Sequence, residues 1–137
     1  DVGKACIPDQ ILTKPGPLTA EEWDVMRTHA AEGYAMLSHS RSRVHVLGAQ
    51  IAHEHHEHWD GTGYPQGLAG AAISLAGRIC AVADVLDSLV SSSCYKPAWP
   101  LEKALAEVIR LAGSHLDPTL VQLVQTHRAD MELVYAG

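Results

Sequence analysis

The segment from Asp60 to Gly67 places the strongest constraint on how this chain can fold. It reads Asp-Gly-Thr-Gly-Tyr-Pro-Gln-Gly, and its glycines and proline are incompatible with the interior of a helix or a strand. The segment must therefore be a loop. On both sides of it apolar residues recur at helical spacing, and no period-2 strand pattern stands out. The sequence predicts an all-α domain, a bundle of about five helices.

Caps and prolines predict where the helices begin and end. Thr19 and Glu22 fit a capping box, Ser74 can cap a helix that is apolar on nearly every side, and the prolines of the first twenty residues predict an ordered loop. The predicted helices run from the capping box at Thr19 through Leu37, from about Val44 to His58, from about Leu75 to Ser91, from Pro100 to near Gly113, and from Asp117 to about Val134.

Composition and charge exclude several classes of function. A net charge of −6 over 137 residues argues against nucleic-acid binding, which relies on Lys and Arg facing phosphates. No apolar run approaches the ~20 residues that span a bilayer, so no membrane segment is expected here. The three cysteines form no CxxC pair and suggest no disulfide framework. They favour a cytoplasmic location.

Two carboxylates in the predicted helix after Ser74 are candidates for a functional site. Asp84 and Asp87 are the only charged residues between Ile79 and Val90, and they lie three positions apart on one face. A buried, unpaired carboxylate costs several kcal/mol, so such groups are paired or bind metal. Pairing with an arginine such as Arg78 and metal binding both fit this pattern.

The histidines form a second group of candidates. The chain has nine, and five of them fall between His45 and His58. Such a run is also typical of a solvated helix end, and a lone His29 on a buried face is also typical of an ordinary core residue. Adjacent His55 and His56 point about 100° apart on a helix, so they share a site only at a helix terminus or across two ions. Imidazoles and carboxylates without cysteine favour iron or manganese over structural zinc.

Several motifs resemble those of the HD-GYP family of the HD superfamily. Asp1-x-Gly3-Lys4 resembles the end of the HDxGK motif, and the segment from His55 to Pro65 resembles the HHExWDGxGYP signature. The resemblance covers nearly the whole chain in the family's order. Further matching segments are Ile7-Pro8-Asp9, Lys14-Pro15-Gly16, Leu18-Thr19, Glu22-Trp23, Thr28-His29, Gly77-Arg78-Ile79, Val82-Ala83-Asp84-Val85-x-Asp87, Gly113-Ser114-His115 and Asp117-Pro118.

The resemblance implies a helical phosphodiesterase with two or three divalent ions, iron or manganese, which hydrolyses cyclic di-GMP to pGpG or GMP through a metal-bridging hydroxide. Asp1 would bridge the ions and Lys4 would offer a cation to the phosphate or hydroxide. Glu57, Asp60 and Asp87 would position the ligands without binding the metal themselves. The implied metal ligands are Asp1, His29, His55, His56 and Asp84. The implied substrate-binding residues are Gly61, Gly63, Tyr64, Pro65 and Lys96.

The sequence departs from the family pattern in two places. No residue precedes Asp1, where the family has a histidine, so we expect a single domain, residues 1–137, that is incomplete at its N-terminus. The family's Asp-Arg-Pro is replaced by Ser92-Ser93-Cys94. Serine does not reproduce the planar fork with which arginine binds phosphate, so weaker substrate binding is expected unless Arg41, Arg43 or Lys103 compensates.

Two alternatives remain open from the sequence. One is a catalytically degenerate module that binds cyclic di-GMP or a GGDEF-type partner. The other is an HD-type hydrolase of a different nucleotide. The resemblance also implies a regulatory partner, either a GGDEF-domain protein or an N-terminal sensory or receiver domain.

Overall fold

A computed structural model gives the structure of the chain and describes residues 1–92 and 97–135. Helices account for all of the regular structure in these two ranges, so the all-α prediction is confirmed. Short 3-10 turns lie at Val2–Cys6 and Gly70–Ala72. The helices are α1 (Asp9–Leu12), α2 (Ala20–Ser38), α3 (Arg43–Glu54), α4 (Leu75–Val90), α5 (Leu101–Arg110), α6 (Pro118–Thr126) and α7 (Arg128–Tyr135).

The N-terminus of α2 is fixed by the predicted capping box. The Thr19 hydroxyl accepts a hydrogen bond from the Glu22 amide at 3.3 Å, and the Glu22 carboxylate accepts one from the Thr19 amide at 2.7 Å. Before this box the chain is more helical than predicted. The first twenty residues, predicted to be a loop, contain the Val2–Cys6 turn and α1. Both can form because the prolines of this segment lie outside them.

Helix α3 is shorter than predicted, and its buried side carries small residues. It ends at Glu54, four residues before the predicted His58. The buried residues are Ala49, Ala52 and Glu54, whereas Val44 is 77% and Leu47 is 49% exposed. The small side chains of Ala49 and Ala52 on the buried side allow α3 to approach α2 closely.

The main hydrophobic core lies between α4, α5 and α6. Ala81, Val82, Leu86 and Leu89 of α4 are buried against residues of the two later helices. Their partners in this core are residues of α5 and α6 and one residue of the segment between them. These are Ala104, Leu105, Val108, Leu116 and Val121. One side of the N-terminal half of α4 is nevertheless open, since Leu75 is 55% and Ile79 is 49% exposed.

The predicted last helix is divided in two at His127. Asp117 caps α6 by accepting a hydrogen bond from the Thr119 amide at 2.8 Å, and its other oxygen receives one from Arg78 Nη1 at 2.6 Å. Arg78 therefore pairs with Asp117, and its suggested pairing with Asp84 or Asp87 was wrong. In the two described ranges, no helix has the length and apolar character needed to cross a membrane.

Candidate metal centre

His29 lies on α2 with its ring almost fully buried. Its side chain is 2% exposed, and Nδ1 lies 2.7 Å from the carbonyl oxygen of Met26. A carbonyl only accepts, so Nδ1 carries the ring proton and Nε2 is left with a lone pair. This fixes the tautomer that suits a metal ligand.

His55 and His56 follow directly after the last residue of α3. His55 is 6% exposed, and its Nδ1 lies 3.0 Å from the carbonyl oxygens of Ile51 and Ala52, which leaves Nε2 unprotonated as in His29. The two ring centroids are 4.0 Å apart. Adjacent histidines converge here because the helix ends before them, as the sequence requires for a shared site.

Asp1 completes a compact group with the three histidines. Its Oδ1 lies 3.5 Å from Nε2 of His29 and 3.6 Å from Nε2 of His55. One ligand atom from each of Asp1, His29, His55 and His56 lies within 4.8 Å of the other three. The group therefore has the size of a shared metal site.

Gly3 allows Asp1 to reach this position. It is buried, and a Cβ atom on it would lie 2.0 Å from the carbonyl oxygen of His29 and 2.4 Å from the amide nitrogen of Gly33. Any side chain would thus collide with the backbone of α2. The glycine of the Gly-Lys motif is explained by this close approach.

The electrostatics of the group match a cation. Burial lowers the pKa of His29 and of His55, and it lowers the pKa of His56 to about 3. All three rings are neutral near pH 7. Nε2 of His29 and of His55 is buried, and neither has a hydrogen-bond partner among the described residues. An unsatisfied buried polar atom costs about 1–3 kcal/mol, so converging lone pairs beside a carboxylate fit a bound metal ion.

Lys4 and the two carboxylates of α4 lie around this group. The Lys4 ammonium is 2.7 Å from Oδ2 of Asp1. Asp84 is exposed and lies outside the four-residue group, but its negative charge acts on the same site by opposing the burial that lowers the pKa of His55. Asp87 is also exposed, and it accepts a hydrogen bond from Ser91 at 3.5 Å. The expectation that these two carboxylates are buried was wrong.

The loop of residues 60–68, which contains Gly63-Tyr64-Pro65 and is called the Gly-Tyr-Pro loop, packs against the histidines. The Tyr64 amide donates to the carbonyl of His56 at 3.1 Å, and its ring stacks on the His56 ring with centroids 4.9 Å apart. Burial raises the pKa of Tyr64 to about 12, so the phenol keeps its proton. A Cβ on Gly63 would lie 2.2 Å from the His58 amide nitrogen, so this position requires glycine. Gly61 has a φ of 82°, and Pro65 is exposed.

Two acidic residues fix the loop by hydrogen bonds to its residues. Glu57 is 1% exposed, and its two oxygens accept hydrogen bonds from the amides of Gln66 and Leu68 at 2.7 and 2.9 Å. Asp60 accepts from the amide and hydroxyl of Thr62 at 2.9 and 2.6 Å. Both carboxylates therefore position the loop.

Sequence reasoning missed several residues around the site. Glu54 is 9% exposed and accepts from the Ser74 amide at 2.7 Å, which ties the end of α3 to the start of α4. His53 and His58 belong to the histidine run that is also typical of a solvated helix end, and both are half-buried. His53 stacks on Tyr34 at 4.6 Å, and His58 lies 3.8 Å from His115. Lys96, Ser93 and Cys94 lie outside the described residues, and Ser92 is exposed.

A family model described as HD domain matches residues 1–120. The chain belongs to the HD domain family. This confirms the HD-superfamily resemblance that the Asp1-to-Lys4 motif indicated.

Relatives among characterised proteins cover most of the chain. It is 48% identical over 98% of its length to the cyclic di-GMP phosphodiesterase response regulator RpfG of Xanthomonas campestris, and 48% identical over 89% to a cyclic di-GMP phosphodiesterase of Thermotoga maritima. It is 45% identical over 93% to 3'3'-cGAMP-specific phosphodiesterase 2 of Vibrio cholerae. The chain spans 35%, 33% and 24% of the lengths of these three relatives.

A solved structure shares the fold. The crystal structure of a cyclic GMP-AMP specific phosphodiesterase of Vibrio cholerae superposes with a TM-score of 0.62 at 24% identity, over 90% of this chain and 32% of that one. The similarity supports the helical HD architecture.

Proposed function

We propose that this chain is the catalytic module of a metal-dependent phosphodiesterase that hydrolyses cyclic di-GMP. The observation that carries the proposal is the convergence of three neutral imidazoles on Asp1, with the Nε2 atoms of His29 and His55 buried and unpartnered among the described residues. Relatives with the activity in their names give the substrate class. These relatives are longer than this chain, so the full-length protein is the form to test.

The proposed metal ligands are Asp1, His29, His55 and His56, with Asp84 as a further ligand from the edge of the group. Oxygen and nitrogen donors without sulfur suit iron or manganese, and we propose two or three such ions. When bound, they would supply positive charge to the phosphodiester oxygens and lower the pKa of water to give a nucleophile near neutral pH.

The other residues of the site bind and orient the substrate in this proposal. Lys4 holds the Asp1 carboxylate at 2.7 Å and adds a positive charge beside the phosphate. Gly61, Gly63 and Pro65 allow the loop backbone to approach the substrate, and Tyr64 offers a ring to a base or ribose. Lys96 is proposed to contact phosphate on the strength of the family resemblance. In-line attack at phosphorus then releases a ribose oxygen and gives pGpG, with GMP as the product of a second cleavage.

The proposal extends to the setting of the reaction. One relative is named a response regulator, which supports a role in signal transduction together with a receiver or other sensory domain. A GGDEF-type protein is a further proposed partner, since it would act on the same nucleotide. We propose a cytoplasmic location because the three cysteines suggest no disulfide framework.

The proposed function is tested by hydrolysis of cyclic di-GMP with full-length protein loaded with Fe(II) or Mn(II), followed by chromatography of the products. Asp84→Asn removes one proposed ligand charge, and we expect it to lower both metal content and turnover. Glu32→Gln, an exposed change on α2, is the control and should behave as wild type. Full metal loading without hydrolysis of any cyclic dinucleotide would contradict the enzymatic proposal and favour a binding module, which the loss of the family arginine at Ser93 also favours.

A further inference from the structure

A cleft of about 560 Å³ lies beside the proposed metal ligands, between the first half of α2 and the Gly-Tyr-Pro loop. Trp23 and Arg27 line it on the helix side, and Thr62 and Tyr64 line it on the loop side. The Tyr64 ring lines the cleft and also stacks on the His56 ring, with centroids 4.9 Å apart, so the cleft adjoins the ligand group at this ring. A ligand with its phosphate at the histidines would extend past Tyr64 into the cleft.

Trp23 gives the cleft an aromatic wall. The side chain is 46% exposed, which is unusual for so large an apolar group and leaves part of the indole open to a ligand. Nucleobases stack on exposed indole rings, and this stacking tolerates any base. Trp23 therefore supplies affinity for a base without selecting which one.

Arg27 gives the cleft a means of selection. Its Cζ atom lies 5.7 Å from the centroid of the Tyr64 ring, and Nη1 is 3.8 Å from Oδ1 of Asp24. Both contacts are loose, and the side chain is 54% exposed, so donors of the planar fork remain open to a ligand. Guanine presents two adjacent acceptors, O6 and N7, which match this fork, whereas adenine presents the N6 donor in place of O6.

We propose that this cleft is a guanine-binding subsite, in which Trp23 stacks on the base and Arg27 donates to O6 and N7. The inference rests on the proposed function, since the base belongs to the cyclic dinucleotide whose phosphate lies at the metal ligands. The subsite binds one guanine. Cyclic di-GMP and 3'3'-cGAMP each carry a guanine that can occupy it, whereas cyclic di-AMP carries none.

The test measures binding and turnover separately in metal-loaded, full-length protein. Binding uses a hydrolysis-resistant phosphorothioate analogue of cyclic di-GMP, and the metal centre is monitored with bis(p-nitrophenyl) phosphate, which has no base. The variants are Trp23→Ala, Trp23→Phe, Arg27→Ala and Arg27→Lys. Arg110→Ala is the control, because Arg110 pairs with Glu107 on α5 and does not line the cleft.

We expect Trp23→Ala and Arg27→Ala each to weaken analogue binding about tenfold, the equivalent of ~1.4 kcal/mol, with unchanged cleavage of bis(p-nitrophenyl) phosphate. Trp23→Phe should restore most of the binding because it keeps an aromatic face. Arg27→Lys should restore little, because an ammonium group does not match two acceptors. The ratio of kcat/KM for cyclic di-GMP to that for cyclic di-AMP should fall in Arg27→Ala.

Wild-type binding by both alanine variants would overturn the subsite. Equal losses for cyclic di-GMP and cyclic di-AMP in Arg27→Ala would also overturn it, since Arg27 would then contact phosphate rather than guanine. A wild-type protein that binds the analogue through Trp23 and Arg27 but cleaves neither substrate would support the subsite while contradicting the proposed enzyme. A wild-type protein that neither binds nor cleaves would overturn both.

Discussion

Nε2 of His29 lies 3.5 Å from Oδ1 of Asp1, and no proton is available to join them. The His29 proton is on Nδ1, which donates to the Met26 carbonyl, and burial keeps the pKa of the ring below its usual value. Two acceptor atoms therefore face each other, and the same relationship holds between Asp1 and His55 at 3.6 Å. A cation between them resolves the repulsion.

Replacing His29 should remove metal without unfolding the chain. In His29→Ala one neutral ligand is lost, and we expect metal affinity to fall by more than about 100-fold, beyond the effect of changing a supporting residue. In the metal-free state the cavity left by the ring costs stability, and removal of the unsatisfied buried nitrogen offsets part of that cost, so the variant should stay folded. Metal analysis and thermal denaturation of the chelated protein measure the two effects. Equal metal content in wild type and variant would contradict the ligand assignment.

Gly3→Ala should displace Asp1. The added Cβ would lie 2.0 Å from the His29 carbonyl oxygen, so the N-terminal turn must move away from α2. We expect a loss of about 1–3 kcal/mol in the free energy of unfolding, as for overpacked sites, together with weaker metal binding. Urea denaturation and metal titration give both quantities.

Gly48→Ala is the matched control for this change. Gly48 lies inside α3, and its Cβ would meet only the Leu37 side chain at 3.4 Å, so this variant should be as stable as wild type or more so. If Gly3→Ala binds metal as tightly as Gly48→Ala, Asp1 is not a ligand.

Glu57→Gln should loosen the Gly-Tyr-Pro loop. An amide group has one acceptor oxygen in place of two, so one of the amides of Gln66 and Leu68 would lose its buried partner. We expect a cost of about 1–3 kcal/mol and a raised KM for the cyclic dinucleotide, with smaller effects on metal content. Kinetics with Glu32→Gln alongside provide the comparison. An unchanged KM would show that the loop does not contact substrate.

Acid should destabilise the metal-free protein over a defined window. The folded pKa values of His29, His55 and His56 lie below the ordinary 6.5, and that of His56 is about 3. Between these values the unfolded chain binds more protons than the folded chain, so the free energy of unfolding falls as the pH drops below 6.5. Denaturant titrations across this range should show a smaller fall in His56→Gln. The same fall in both proteins would assign the effect to other groups.

How far the sequence predicts the structure differs between the elements. The start of α2 follows from Thr19 and Glu22 alone, because a capping box is a local interaction. The end of α3 does not, since no residue before Gly61 forbids a helix. It ends at Glu54 because Glu54 binds the Ser74 amide and Glu57 binds the loop amides, and both are contacts with distant residues. Arg78 likewise pairs with Asp117, 39 positions away.

The candidate site was predictable to a similar degree. Asp1 and the histidines were implied by the resemblance to the HD-GYP motifs, and the structure brings one ligand atom from each of Asp1, His29, His55 and His56 close together. The cleft at Trp23 and Arg27 is not apparent from any motif, because its walls come from α2 and the Gly-Tyr-Pro loop, which lie far apart in sequence. The apolar composition of α4 predicted that Asp84 is buried. In the structure Asp84 is exposed, and its charge acts on the candidate metal centre.

The most direct test of the metal-centred account is the hydrolysis of cyclic di-GMP by full-length protein before chelation, after chelation, and after return of Mn(II) or Fe(II). We expect activity to disappear with the metal and to return with it in wild type, and to stay absent in His56→Ala. Activity that survives complete removal of metal would contradict the account.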